Sequence, residues 1–257
     1  PVVWMQMRMR DIAAQAAANA APAGSSLLWT VNTTFSINLF TYKKLPYKAE
    51  DFAAVTRILS VPYVLVTSSE SKIRSLPDLI REAKARPDAM TYASAGIGQG
   101  THVAMARLLG EAGVSMTHVP YKDYFLPDVI ARRVDVAFDA STGAIPQVKA
   151  GKVRALGVSS PKRIAGLPDV PAIAEIVPGF VGDSWHGIFA PKGTPEPVLA
   201  SLLAQSQKIV AQAVFRAKLE GYGLTPVGEP PEAFSRFLDE DARAWAKVVK
   251  DNHITAE

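Results

Sequence analysis

The sequence predicts an α/β fold built as two lobes, and three observations carry that expectation. Short β-rich runs alternate with longer helical patterns along the chain, the pattern of βαβ units that feed a mainly parallel sheet. The 257 residues, 48% hydrophobic and 20% charged, supply core enough for one large domain or two smaller ones. No low-complexity linker or internal repeat separates two contiguous domains, so two lobes require the chain to cross from one to the other and return.

The elements follow in order. Ser26 to Val31 and Tyr63 to Thr67 read as strands. Ser75-Leu76-Pro77-Asp78 is a capping-box pattern with proline in the first turn; it opens a helix through Ala85 that Pro87 stops. Met90 to Ser94 is the next strand, and it runs through a glycine-rich turn into a helix near Thr101 and His102. Met116 to Pro120, Val134 to Asp139, Val153 to Val158 and Gly187 to Ala190 complete the strands. Gly193-Thr194-Pro195 opens a long helix to about Glu220, which Gly221 and Gly223 end. The last helix begins near Pro231 and sets Phe234, Phe237, Leu238, Trp245, Val248 and Val249 on one 3.6-period face, a core stripe. The extended segments Val64 to Ser68 and Gly187 to Lys192, each followed by a helix start, are the expected crossings. They assign 1–68 and 192–257 to lobe 1 and 69–191 to lobe 2.

Composition removes several function classes. The net charge is +4, but the 28 basic residues are scattered among 24 acidic ones, and the densest cluster, Arg8 to Arg10, is too short to track a phosphate backbone. Nucleic acid is therefore not an expected partner. Cysteine is absent, so disulfides, thiolate metal sites and cysteine nucleophiles are excluded together. No run of about 18 apolar residues spans a membrane. The start, Pro1-Val2-Val3-Trp4-Met5, lacks the regions of an export signal, which is expected to have been removed already.

The chemistry concentrates in Met90-Thr-Tyr-Ala-Ser94-Ala-Gly96-Ile-Gly98-Gln-Gly100-Thr101-His102. Glycines let the backbone approach a ligand closely, and the first amides of the following helix point outward with the positive end of its dipole, an arrangement that binds anions. The glycine spacing is not that of a dinucleotide-binding turn, and no acidic residue stands about 20 positions on; no Gly-Lys-Ser/Thr marks a P-loop. Ser94 lacks the first glycine of a nucleophile elbow, and the histidines at 102, 118, 186 and 253 show no metal-type spacing. No catalytic constellation, metal set or cofactor motif is visible.

Several runs, in order from about Asp11 to the C-terminus, resemble one family. They are Tyr42-Lys-Lys-Leu-Pro-Tyr47, Ser94-Ala-Gly-Ile-Gly98, His118-Val-Pro-Tyr-Lys122, Val134-Asp-Val-Ala-Phe-Asp139, Ala150-Gly-Lys-Val-Arg-Ala-Leu156, Leu167-Pro-Asp-Val-Pro171, Ser184-Trp-His-Gly-Ile-Phe-Ala-Pro191 and Trp245-Ala-Lys-Val-Val-Lys250. The chain resembles the tripartite tricarboxylate transporter receptors, also called the Bordetella-uptake-gene family. The resemblance implies a type II periplasmic-binding-protein fold, two α/β lobes joined by two crossover strands. It implies a periplasmic, monomeric receptor without catalysis or cofactor, closing on a small carboxylate such as a dicarboxylate, an amino acid, a citrate-like acid or an aromatic acid. The ligand would pass to membrane permease subunits.

In such receptors backbone amides and ordered waters from a loop in each lobe hold the carboxylate. Carried onto this chain, Ser94, Gly98 and Gln99 of the second lobe would face the ligand, with Asn32-Thr33-Thr34 as the matching polar turn of the first. Asp139 closes its strand at the carboxyl edge where open α/β sheets bind ligands, or else caps a helix over Ala140 to Val148. Tyr121 and Trp185 would wall the cleft, or pack in the core.

Three departures accompany the resemblance. The family's first strand, first loop and first helix have no counterpart, about 30 residues or one βα unit, so the first lobe is expected to be incomplete. Trp4 to Arg10 is Met-rich where a glycine-rich turn is expected, and Asp123-Tyr124 replaces a diglycine. An enzyme on the same lobes, such as a porphyrin-precursor deaminase or an amino-acid dehydratase, is one rival, although the deaminase needs a cysteine for its cofactor. An effector or sensor domain of a transcriptional regulator is another, which should follow a helix-turn-helix segment; none is present.

Overall fold

The structure is a computed structural model that describes residues 10–256. The expectations for the Pro1 to Met5 start, the Met-rich run and the basic cluster fall before Arg10 and so lie outside the described residues, save Arg10 itself, which opens a helix. The chain divides into two compact units, Pro1–Ser60 with Trp185–Ala217 and Thr225–Glu257, and Val61–Ser184 with Lys218–Leu224. The divisions at Ser60/Val61 and Ser184/Trp185 differ from the expected ones after 68 and 191, and the short return of 218–224 to the second unit was not foreseen.

The first unit begins with α1 (Arg10–Ala18), β1 (Leu28–Val31), a π-helical turn (Thr33–Ile37), α2 (Asn38–Thr41) and β2 (Phe52–Val61). The second contains β3 (Tyr63–Ser68), α3 (Leu76–Ala85), β4 (Thr91–Ser94), α4 (Gly100–Ala112), β5 (Thr117–Pro120), α5 (Leu126–Ile130), β6 (Val136–Ala140), α6 (Ser141–Lys149) and β7 (Val153–Val158). The chain continues through β8 (Ser184–Pro191), α7 (Glu196–Val210), α8 (Ala213–Gly221), β9 (Thr225–Pro226) and α9 (Pro231–Asp251).

In the second unit the strand order is β5-β4-β6-β3-β7. β4 runs parallel to β5 and β6, so all three end at one edge, at Ser94, Pro120 and Ala140. β3 lies antiparallel between β6 and β7 and is buried along its whole length. One core gathers Val64, Val66, Ala93 and Ala137 of the sheet with Phe125 and Leu126 beside α5 and Ala144 and Ile145 of α6. Local signals hold where they were read: Ser75 Oγ accepts the Asp78 N–H at 3.2 Å and starts α3.

The first unit's sheet has the order β1-β8-β2-β9, and its β1–β8 and β2–β9 pairs are antiparallel, against the expectation of parallel pairing. β2 escaped the sequence reading because Arg57 interrupts its apolar run. In the fold that guanidinium is paired with Glu229 at 2.8 Å and lies 3.6 Å over the Phe237 ring, so a charge sits inside a strand at no exposed position. The single long helix expected from Glu196 to Glu220 is two helices, α7 and α8, bent by 69°. The bend follows Val210, the buried residue of α7, which packs against Gly228. No single helix among the described residues is long and apolar enough to cross a membrane.

An aromatic cluster of Phe35, Tyr47, Trp185, Phe189 and Phe234 fills the first unit's core. Trp185 and Trp245 both donate their indole N–H to Asp241 of α9, at 2.7 and 2.9 Å. One carboxylate thereby satisfies two buried donors, and burial holds it above the usual carboxylate range. Asp241→Leu strands both indoles and is expected to destabilise the protein by about 2–4 kcal/mol, read as a lower urea midpoint in tryptophan emission. An unchanged midpoint would show that the two bonds contribute no net stability.

Candidate functional site

β4 must turn from strand to helix within five residues, and the glycines make that possible. Gly96 and Gly98 adopt φ of 122° and 73°, values that side chains disfavour. Two histidines then fix the turn. His102 Nδ1 accepts the Gly98 N–H at 3.1 Å, which places its own proton on Nε2. His118 Nε2 lies 2.7 Å from Ser94 Oγ, and that hydroxyl is bonded to both the amide and the carbonyl of Gly96 at 3.2 Å. The two imidazoles stack with centroids 3.9 Å apart and planes 4° from parallel, and Tyr92 extends the stack at 4.8 Å from His118. Burial lowers both histidine pKa values to about 4, with the neighbouring ring adding to the shift at His102. At neutral pH both rings are uncharged.

The hydrogen bonds decide which amides remain open. Ala95 N–H goes to Thr101 Oγ1 at 3.0 Å, Gly96 to Ser94, Gly98 to His102, and Gln99 to the Gly96 carbonyl at 3.2 Å. The amides of Ile97, Gly100 and Thr101 have no acceptor among the described residues, and the last two are the first amides of the 13-residue α4. Ser94 and Gly98, expected to face a ligand, thus spend their hydroxyl and N–H on the turn itself. Gln99 is the helix N-cap through its backbone, without a side-chain cap bond.

Tyr121 and Asp139 share this sheet edge. Tyr121 N–H bonds the Ser94 carbonyl at 3.0 Å, and its phenol donates to Asp128 of α5 at 2.7 Å, a bond that raises the phenol's pKa and lowers that of Asp128. Pairing of Ala93 with Ala137 sets Asp139 level with Ala95. Asp139 is only 6% exposed and has no cationic partner among the described residues. Its Oδ1 accepts the Ala140 N–H at 3.0 Å and its Oδ2 the Tyr124 hydroxyl at 2.9 Å. Burial outweighs those two bonds and pushes its pKa up to about 6. The alternative reading of Asp139 as a helix cap is not what the geometry shows: Ala140 is the N-cap of α6, with no side-chain cap bond. Beside it the buried Ser141 Oγ has no hydrogen-bond partner among the described residues. Tyr124, which the sequence reading did not select, was signalled only by the replaced diglycine.

In the first unit, Asn32, Thr33 and Thr34 are buried and enter a π-helical turn rather than an open polar loop. Thr34 Oγ1 bonds Thr30 Oγ1 at 2.6 Å, and its carbonyl accepts the Tyr47 hydroxyl at 2.9 Å. Trp185 is 1% exposed and belongs to the aromatic core, not to a ligand wall, because its indole is drawn to Asp241. The Ser94–His118 contact has the spacing of a nucleophile and base, but Ser94 is fully buried, and no carboxylate orients His118 among the described residues. Those residues also contain no cluster of His, Asp and Glu able to hold a metal ion.

The sequence model for the tripartite tricarboxylate transporter family receptor matches residues 10–254. A protein of the UPF0065 group from the tcbD–tcbE intergenic region of Pseudomonas sp. strain P51 is 34% identical over 241 residues, 92% of this chain and 72% of its own. A Rhodopseudomonas palustris protein solved with adipate superposes with a TM-score of 0.87 at 30% identity, over 95% of this chain and 83% of that one. MatC of the same organism, solved with bound malate, gives 0.80 at 28% identity, over 93% and 84%. The fold is that of the periplasmic binding proteins.

The titrations make the turn's stability pH-dependent. Unfolded histidine titrates near 6.5 and these rings near 4, so the unfolded chain binds more protons between the two values. Stability is full above about pH 6.5 and is lost as pH falls toward 4, with the half-buried His118 contributing less than His102. Asp139 opposes this over part of the range, since its rise from 3.8 to about 6 weakens the fold as pH increases through that window. Two rings outweigh one carboxylate, and net stability should fall on acidification. His102→Asn keeps an acceptor for Gly98 without the titration, and with one ring left against the opposing Asp139 carboxylate, urea denaturation across this range should show most of the net loss gone. An unaltered pH slope would remove the histidines as its cause.

Proposed function

The chain belongs to the tripartite tricarboxylate transporter receptor family, whose members are solute receptors, and from that membership we propose that it captures a small carboxylate in the periplasm for delivery to membrane permease subunits. The observation that carries the proposal is the β4–α4 turn with its open Ile97, Gly100 and Thr101 amides. Three N–H groups at the positive end of a helix suit a carboxylate, and hydrogen bonds to a charged group contribute about 1.5–3 kcal/mol each. Glycine at 96, 98 and 100 puts no Cβ of its own between the backbone and a ligand. Adipate and malate in the two structural relatives support this ligand class.

Asp139 is proposed to select rather than to bind carboxylates. A second negative charge in a dry site repels a ligand carboxylate, whereas a ligand hydroxyl or amine can donate to it. In the first unit, the Asn32 to Thr34 segment is the proposed second source of polar contacts.

A panel of mono- and dicarboxylates tests the reading. At about 100 times its dissociation constant a ligand adds about 2.7 kcal/mol, several degrees of melting temperature for a chain of this size. Gly100→Pro removes one open amide at the first helical position, where proline is tolerated, and the extended backbone of Gln99 suits a following proline. With its own melting temperature retained, that variant should lose about tenfold to a hundredfold in carboxylate affinity by titration calorimetry. A folded Gly100→Pro protein with undiminished affinity would place the anion elsewhere.

A further inference from the structure

Tyr124 is a surface residue, 56% exposed, yet its hydroxyl reaches inward to a carboxylate that is 6% exposed. Resting on the carboxylate-receptor reading, we infer that Tyr124 is a specificity-determining residue whose phenol occupies, on Asp139 Oδ2, the place of a ligand's hydroxyl or ammonium donor. Asp139 has one oxygen committed to the protein, since Oδ1 accepts the adjacent Ala140 N–H, while among the described residues its other oxygen is bonded by this surface phenol alone. The approach to Oδ2 is narrow. A Cβ at Gly143, in the first turn of α6, would stand 2.6 Å from Oδ2 and 3.0 Å from the Tyr124 oxygen, so the backbone closes in on both atoms and the glycine leaves room for one donor. Phe125, buried beneath with its ring 5.7 Å from that of Tyr124, anchors the segment so that the phenol is aimed at this spot.

The chemistry sets the direction of the preference. A ligand donor must displace the phenol before it gains a bond to Asp139, so the exchange yields little net energy. An acid without such a donor leaves the Tyr124–Asp139 bond in place and loses nothing. The protein as it stands therefore favours unsubstituted acids over their 2-hydroxy and 2-amino counterparts. With Tyr124→Phe the ring and its packing stay, and Oδ2 opens to the ligand.

The test measures succinate, adipate, malate and aspartate by titration calorimetry on the whole chain, as wild type, Tyr124→Phe, Asp139→Asn and the double variant, each with its melting temperature. The expected result is a gain of about tenfold for malate and aspartate relative to succinate in Tyr124→Phe, and no such gain in the Asp139→Asn background. Acids that bind with the same malate-to-succinate ratio in wild type and Tyr124→Phe overturn this inference alone. A gain that persists without the Asp139 carboxylate also overturns it, because the phenol would then act by another route. A panel in which no acid binds any folded variant overturns the carboxylate reading, and this inference with it.

Discussion

Two neutral imidazoles hold the β4–α4 turn in its shape, and what the second unit can do follows from that. A strand that turns abruptly into a helix leaves backbone donors exposed to competition from any nearby acceptor. His102 takes the Gly98 amide and His118 engages the hydroxyl that clamps Gly96, so the turn is tied at two points and, among the described residues, only chosen amides lack an acceptor. The rings serve this purpose only while uncharged, because a protonated His102 has no acceptor for Gly98. Burial in a stack with Tyr92 secures that state.

Each unit also carries a carboxylate whose pKa burial raises, with contrasting surroundings. Asp241 is closed off by two indole donors and belongs to the framework. Asp139 is held by one neighbouring amide and one surface phenol, at an edge where three parallel strands end. Burial raises the pKa of both, but the first is bonded by core indoles and the second by an exposed phenol. A difference in partners, not in residue type, separates a structural acid from a candidate selective one.

Much of the fold was legible because its signals are local. The Ser75 cap, the Pro87 stop and the β7 strand from Val153 to Val158 depend on residues within one turn or one strand, and they occur as read. β2 was not legible, because the charge in its middle finds Glu229 and Phe237 far along the chain. The same limit applies to the site. The glycine turn could be located, but its open amides could not be told from its occupied ones, since His118 reaches Ser94 across a separation of 24 residues. Trp185 looked like a wall for the same reason: its partner Asp241 stands 56 positions away.

The antiparallel β3 has a consequence for how the chain is made. It is the first strand of its sheet to be synthesised and the one buried most completely, but its two neighbours, β6 and β7, come later. For the synthesis of roughly seventy residues an apolar strand with two open edges has no partner, a high-contact-order step exposed to aggregation. The first unit waits longer, because β1 pairs with β8 and its core takes residues from α9 at the far end of the chain. Neither unit can complete its sheet until most of the chain has emerged, so completion of the fold falls late in synthesis.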